Sequence, residues 1–110
     1  MYDIEELKKQ ILERLHDLDL KQVIIFGSHG YGTPSEESDI DLYVVTKDQF
    51  LPQSYKEKRE LVRKISRRLI DLRQRVSIDL LVHTEVMNTK FYALNSSFAK
   101  EIQEKGLTLL

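Results

Sequence analysis

The chain has 110 residues, no cysteine and a formal net charge of −1, which fits one small domain without disulfides or thiolate metal sites. Hydrophobic residues make up 41% and charged residues 32%, a balance typical of a globular rather than a disordered protein. No apolar run reaches the roughly 18 residues that span a bilayer, and the N-terminal residues lack the apolar stretch of a secretory signal. We therefore expect a cytoplasmic protein, with no general attraction to membranes or nucleic acid.

The first part of the chain predicts a helix and then a strand. Asp3 followed by Glu6 is typical of a helix start, and apolar residues at helical spacing carry the helix to about His16. A β-branched run at 21–26 predicts a strand that ends at Gly27, where a turn-rich segment begins.

The remaining elements alternate between strands and helices. A second strand is predicted at 40–46 and a loop at 47–53, followed by a capping-box pattern in which Ser54 precedes Glu57 by three residues. The helix after it carries an apolar stripe made of Leu61, Val62, Ile65, Leu69 and Leu72.

A third strand is predicted at 76–82, and one final helix is predicted to end at Gly106. The apolar positions of that helix are Phe91, Leu94, Phe98 and Ile102, and Tyr92 and Phe98 are expected in the core. The order favours an α/β (α+β) fold: one domain over residues 1–110, with a small mixed β-sheet flanked by helices.

Aspartates occupy unusual positions in two of the predicted strands. Side chains alternate along a strand, so Asp39 and Asp41 share a face with Tyr43 and Val45, whereas Ile40, Leu42 and Val44 point to the core. Asp79 lies inside the third strand, where aspartate is disfavoured.

If the third strand pairs with the second, three carboxylates meet at one edge of the sheet. Hard oxygen ligands of this kind suit Mg²⁺, and such a set can bridge two cations. Considered singly, Asp39 and Asp41 are better explained as solvated turn residues, and Asp79 as the partner of an arginine such as Arg75; the metal site is favoured only in combination with the loop that follows the first strand.

A glycine and a serine follow the first strand. Gly27 would let the backbone approach a bulky anion, and Ser28 adds a hydroxyl and an amide. By itself this pair is a weak signal, because most such pairs are plain turns.

The longer pattern is more specific. Gly27-Ser28, ten intervening residues, and then Asp39-x-Asp41 within Ser-Asp-Ile-Asp-Leu resembles the signature of the DNA polymerase beta-like nucleotidyltransferase superfamily, especially its minimal nucleotidyltransferases. The resemblance implies that Gly27 and Ser28, together with Ser38, bind the phosphates of ATP or another NTP. It implies that Asp39, Asp41 and Asp79 are catalytic and hold two Mg²⁺ ions.

The resemblance also implies the reaction and the partner. A nucleoside monophosphate, AMP if the donor is ATP, would be transferred to a hydroxyl with release of pyrophosphate. Many minimal nucleotidyltransferases act as antitoxins that modify a small helical HEPN-family toxin. A small-molecule acceptor such as an aminoglycoside, and an antitoxin that acts by binding alone, are the alternatives. Minimal members often have arginine at the position of Tyr31, which bears on nucleotide affinity and acceptor preference.

Three other features carry expectations. The basic segment 56–75 is interpreted as a solvated helix face in preference to a phosphate or acidic-partner surface. His83 shares the face of Asp79, and a capping role is favoured over a supporting role in the site. The apolar C-terminus, with Leu107, Leu109 and Leu110, is expected to be buried in a dimer or heteromer.

Overall fold

The computed structural model describes residues 4–27 and 40–110 of the chain. Asp3, the predicted first N-cap, lies outside them. The elements are α1 (Ile4–Leu15), β1 (Leu20–Phe26), β2 (Ile40–Thr46), α2 (Tyr55–Ser66), α3 (Ile70–Arg73), β3 (Ile78–His83), α4 (Glu85–Ala93), α5 (Ser97–Lys105) and β4 (Leu107–Thr108), with a 3₁₀ turn at Arg67–Leu69.

The strands form one mixed sheet in the order β3-β2-β1-β4. β1 is antiparallel to both β2 and β4, whereas β2 and β3 are parallel. The parallel pair requires a long crossover, and α2 and α3 lie within that connection. The prediction of a small mixed sheet flanked by helices is confirmed.

One face of the sheet is covered by α1, α2 and the turns that follow α2. Leu42 and Val44 of β2 are fully buried here against helical side chains such as Ile11 and Ile65. The predicted apolar stripe of the second helix is confirmed, although Arg67–Leu69 forms a 3₁₀ turn that interrupts it. Leu69 and Leu72 stay buried across the interruption, so the stripe outlasts the regular helix.

The opposite face is covered by α4 and α5. Ile24, Tyr43 and Val45 are buried there against Ile102, with Phe91 partly buried beside them. The sequence analysis assigned only the Leu42 face of β2 to the core. This was wrong for Tyr43 and Val45, which are buried on the other face. The central position of β2 between β1 and β3 explains the difference, because helices then cover both faces of the strand.

The single final helix predicted from the sequence is two helices. α4 ends at Ala93 with Leu94 as its C-cap, and Asn95 adopts a positive φ of 53°. Ser96 caps α5 by accepting a hydrogen bond from the Ala99 amide at 3.1 Å. Asn tolerates the left-handed conformation and Ser is a good N-cap, so the break is encoded locally. The break turns Leu94 outward, and Phe98 is 44% exposed rather than in the core.

The C-terminal segment forms an edge strand on the protein's own sheet. The Leu109 amide donates to the Val23 carbonyl at 2.7 Å, and the Val23 amide donates to the Leu110 carbonyl at 3.2 Å. Leu107 and Leu109 pack against the core of the α1 side. Leu107 and Leu109 are therefore partly buried within the chain itself, while Leu110 stays exposed.

Two local predictions need smaller corrections. Ser54 caps α2 by accepting from the Glu57 amide at 3.2 Å, but the Glu57 carboxylate accepts from the Gln53 amide instead of from Ser54. β3 begins at residue 78 rather than 76, because the Val76 amide still closes a turn on the Leu72 carbonyl at 3.0 Å.

Candidate functional site

Two of the three predicted aspartates meet on neighbouring strands. β2 and β3 run parallel in a register that makes Asp41 and Asp79 direct partners. Neighbouring strands lie about 4.8 Å apart, and residues in register point to the same face. Asp41 is partly buried and Asp79 is exposed, so the pair opens toward solvent. Asp39 lies outside the described residues, as do Ser28, Ser38 and Tyr31.

Gly27 is fitted closely to the Asp41 carboxylate. Its φ is +74°, a conformation that side-chain-bearing residues rarely adopt. A Cβ atom added at Gly27 would also collide with Oδ2 of Asp41, well inside the closest approach of real Cβ atoms. Backbone conformation and space therefore both require glycine here, and the Asp41 carboxylate lies directly against the end of β1.

Phe26 completes a row of side chains across three strands. It is the antiparallel partner of Asp41, so Asp79, Asp41 and Phe26 stand side by side on one face. We name these three residues the carboxylate row. Among the described residues it is the outermost row of this face, and the α4 and α5 helices cover the rows behind it.

A polar network lies behind the carboxylate row. The Tyr43 hydroxyl is 2.7 Å from His83 Nδ1, and Asn88 Nδ2 donates to the same hydroxyl at 3.1 Å. Since Asn88 occupies one acceptor position, the hydroxyl is free to donate its own proton to His83 Nδ1. When the hydroxyl donates in this way, Nδ1 is the acceptor and the imidazole is neutral.

Burial around the network favours the neutral forms of both ring groups. It raises the pKa of the Tyr43 hydroxyl and lowers the pKa of the His83 imidazole. The capping role favoured for His83 was wrong, because Thr84 caps α4 by accepting from the Met87 amide at 3.2 Å. Asn88 was missed by the sequence analysis, since a polar residue inside a short helix gives no signal of its own.

The arginine offered as an alternative partner for Asp79 bonds elsewhere. Arg75 Nη2 donates to Gln10 Oε1 at 3.3 Å. A nearby arginine–aspartate pair involves α1 and α3: Arg14 donates to both carboxylate oxygens of Asp71 and lowers the pKa of that carboxyl to about 2. Asp79 thus keeps its position in the row without the ion pair that would have explained it structurally.

The donor set fits a divalent cation. Among the described residues no group of three candidate ligands occurs, and Asp39 lies outside them. The two described carboxylates, in register on rigid strands and beside a glycine, supply the hard oxygen ligands that Mg²⁺ prefers. Such a pair accommodates a cation bound through carboxylates, with the remaining positions left to water or phosphate.

The basic segment 56–75 lies on the other side of the sheet. α2 packs on the face of Leu42, opposite the carboxylate row. A cavity of about 550 Å³ beside it is lined by Leu18, Glu60, Arg63, Lys64, Arg67 and Arg68. Arg68 pairs with Asp17 at 2.6 Å, so part of the charge is satisfied within the chain. This placement separates the basic face from the carboxylates.

Within residues 4–27 and 40–110, no helix is both long enough and apolar enough to cross a membrane.

Comparison with known families identifies the chain as a nucleotidyltransferase. The family model described as polymerase beta, nucleotidyltransferase matches residues 9–109, and the chain belongs to that family. A protein of Methanocaldococcus jannaschii named as a candidate protein adenylyltransferase, MJ0141, is 30% identical over 99 residues, which cover 90% of this chain and 94% of the relative.

Three solved structures share the fold of this chain. A toxin–antitoxin with AMP-PNP aligns with a TM-score of 0.57 at 22% identity, over 94% of this chain and 72% of the other. A candidate nucleotidyltransferase from Sulfolobus solfataricus aligns with a TM-score of 0.59 at 20% identity, over 96% and 77%. A mutant MntA-HpeT toxin–antitoxin gives a TM-score of 0.54 at 18% identity, over 94% and 71%.

Proposed function

We propose that this chain is a Mg²⁺-dependent enzyme that transfers AMP from ATP to a hydroxyl group of a partner protein. The observation that carries the proposal is the in-register pair of Asp41 and Asp79 beside Gly27. An apolar sheet has no structural need for two adjacent carboxylates, since like charges in register destabilise a sheet. A cation and a triphosphate between them would remove that cost.

The proposal gives each site residue a role within one nucleotidyltransferase domain over residues 1–110. Asp39, Asp41 and Asp79 are the catalytic residues and hold two Mg²⁺ ions, and Gly27, Ser28 and Ser38 bind the triphosphate. When bound, Mg²⁺ supplies charge neutralisation at the phosphate oxygens and lowers the pKa of a hydroxyl. The chain itself holds the carboxylates at a fixed spacing and lets a phosphate approach the backbone at Gly27.

The reaction is a displacement at the α-phosphorus of ATP. The acceptor oxygen forms a bond to that phosphorus, the bond to the bridging oxygen of the β-phosphate breaks, and pyrophosphate leaves. Asp79, the exposed carboxylate of the pair, receives the hydrogen bond of the acceptor hydroxyl and takes its proton. Asp41, against Gly27, faces the nucleotide.

The partner is proposed from the relatives. The M. jannaschii protein is named for adenylyl transfer to protein, and two of the aligned structures are toxin–antitoxin assemblies. We propose a small helical toxin of the HEPN type as the acceptor, with this chain as its cytoplasmic antitoxin.

A label-transfer experiment tests the proposal. The purified protein is mixed with ATP labelled at the α-phosphate, Mg²⁺ and lysate of its own host, and Asp41→Asn is run alongside. We expect one labelled protein band that is absent with Asp41→Asn and absent when EDTA replaces Mg²⁺. Mass spectrometry of the labelled band then identifies the acceptor and the modified hydroxyl.

Three results would contradict the proposal. Equal labelling by the Asp41→Asn variant would exclude the carboxylate row as the catalytic site. An antitoxin that acts by contact alone would give no labelled band with any of the four NTPs. It would bind its toxin tightly and inhibit it without modification. A label that moves only into the small-molecule fraction would favour a small-molecule acceptor.

A further inference from the structure

An aromatic corner borders the carboxylate row on the side of β1. Phe98, from the first turn of α5, contacts Phe26 with ring centroids 5.6 Å apart and planes at 68°. We propose that Phe98 and Phe26 form the surface against which the base of the nucleotide stacks. This inference rests on the proposed function and adds to it the part of the site that binds the base.

The ring geometry leaves a surface for a flat ligand. Phe98 also contacts Phe91 in an edge arrangement, with centroids 5.8 Å apart and planes at 70°. Phe91 in turn packs on Tyr43 and His83, so the corner is anchored to the buried network. Despite both ring contacts, Phe98 remains 44% exposed. A flat ring could stack on Phe98 and meet Phe26 at its edge.

The position of Phe98 is fixed rather than incidental. The cap of Ser96 on the Ala99 amide holds the first turn of α5, and Ala99 and Ile102 are buried on the sheet side. Because α5 is anchored on its buried side, the exposed ring of Phe98 stays beside Phe26. A preorganised ring costs little entropy when a ligand stacks on it.

The position of Phe26 in the carboxylate row indicates that the aromatic corner contacts the base of the nucleotide rather than a side chain of the acceptor protein. Phe26 precedes Gly27 in the chain and lies on the side of Asp41 that is away from Asp79. In the proposed function Gly27 meets the triphosphate and Asp79 meets the acceptor. The aromatic corner is therefore on the nucleotide side of the row, where stacking would favour a base without selecting one by hydrogen bonds.

Two substitutions at Phe98 separate stacking from packing. Phe98→Leu keeps an apolar side chain on α5 but removes the π surface, whereas Phe98→Trp enlarges that surface. Each variant is titrated calorimetrically with Mg²⁺-ATP and with Mg²⁺-tripolyphosphate, which carries the phosphates without a base. We expect Phe98→Leu to bind ATP about five- to a hundredfold more weakly and tripolyphosphate unchanged. Phe98→Trp should bind ATP at least as well as the wild type.

Leu94→Ala is the matched control, because Leu94 is 77% exposed on α4. It should bind both ligands as the wild type does. Thermal unfolding of each variant verifies that the fold is retained.

The outcomes separate this inference from the proposed function. Equal ATP affinity of Phe98→Leu and wild type would overturn the stacking role, and so would an equal loss for both ligands. If Phe98→Leu instead leaves ATP binding intact and raises the KM of the protein acceptor, the corner belongs to the acceptor. A wild-type protein that binds neither ligand would overturn the proposed function as well.

Discussion

The two faces of β2 carry different kinds of side chain and have different tasks. On the α1 and α2 side, Ile40, Leu42 and Val44 are aliphatic and fully buried. On the α4 and α5 side, the same strand presents Asp41 and then Tyr43, so an open polar end leads into a hydrogen-bonded interior. The first face stabilises the sheet, and the second holds carboxylates at its open end. The described carboxylates thus lie on the side of β2 opposite the main core.

The largest expected effect is on catalysis, at the open end of the second face. We expect Asp79→Asn to reduce adenylyl transfer about a hundredfold or more, because removing a charged ligand forfeits several kcal/mol of charge stabilisation. Asp79 is exposed, so the free energy of unfolding should change by less than about 0.5 kcal/mol.

Initial rates of label transfer and urea unfolding measure the two quantities on the same sample. Asp19→Asn, another exposed acid, is the control and should leave both unchanged. A large loss of stability in Asp79→Asn would mean that this acid contributes mainly to the fold rather than to catalysis.

The next effect is on stability, at the first face. Leu42→Ala should lower the free energy of unfolding by about 2–5 kcal/mol, because the side chain is fully buried and leaves a cavity. Urea unfolding measures the change. Ile70→Ala removes a branched side chain that is 54% exposed on α3 and should cost much less. Similar costs for the two variants would contradict the assignment of Leu42 to the main core.

A smaller effect is expected from the polar network behind the row. Tyr43→Phe removes the hydroxyl shared by His83 and Asn88, and with it one acceptor of the buried Asn88 amide. We expect a loss of about 1–3 kcal/mol in the free energy of unfolding.

Tyr92→Phe is the matched variant, since the Tyr92 hydroxyl donates to Gln22 Oε1 at 3.1 Å in a less buried position. It should cost less than Tyr43→Phe. The reverse order would mean that the network behind the row contributes little to the fold.

The smallest effect is a dependence on pH. Burial lowers the pKa of His83, so the unfolded chain binds a proton more readily than the folded one. Its contribution to stability is therefore complete above a pH of about 6.5 and is lost as the pH falls toward the folded value. Protonation would also turn Nδ1 from an acceptor of the Tyr43 hydroxyl into a donor.

Urea unfolding at a series of pH values below about 7 measures this dependence. His83→Gln should flatten the slope in this range, whereas His16→Gln, at the exposed end of α1, should not. An unchanged slope in His83→Gln would show that this imidazole is not kept neutral by the fold.

Much of the fold could be predicted from local patterns. The bounds of β2 and the burial of Leu42 follow from alternation and β-branching, which act within a few residues. The start of α2 follows from Ser54, a capping signal that acts on the next turn. The split between α4 and α5 was also locally encoded, by Asn95 and Ser96, but helical spacing of apolar residues concealed it.

The sequence alone pointed to Asp41, Asp79 and Gly27, since aspartates in apolar strands and a glycine at the end of a strand can be recognised without a structure. Only the tertiary structure decided that Asp41 faces Asp79, because register between β2 and β3 depends on the whole α2 and α3 crossover. It also decided that Phe98 stands beside Phe26, 72 residues earlier in the 110-residue sequence, and that Asn88 reaches Tyr43. These contacts join distant segments, and only the packing of α4 and α5 on the sheet brings them together.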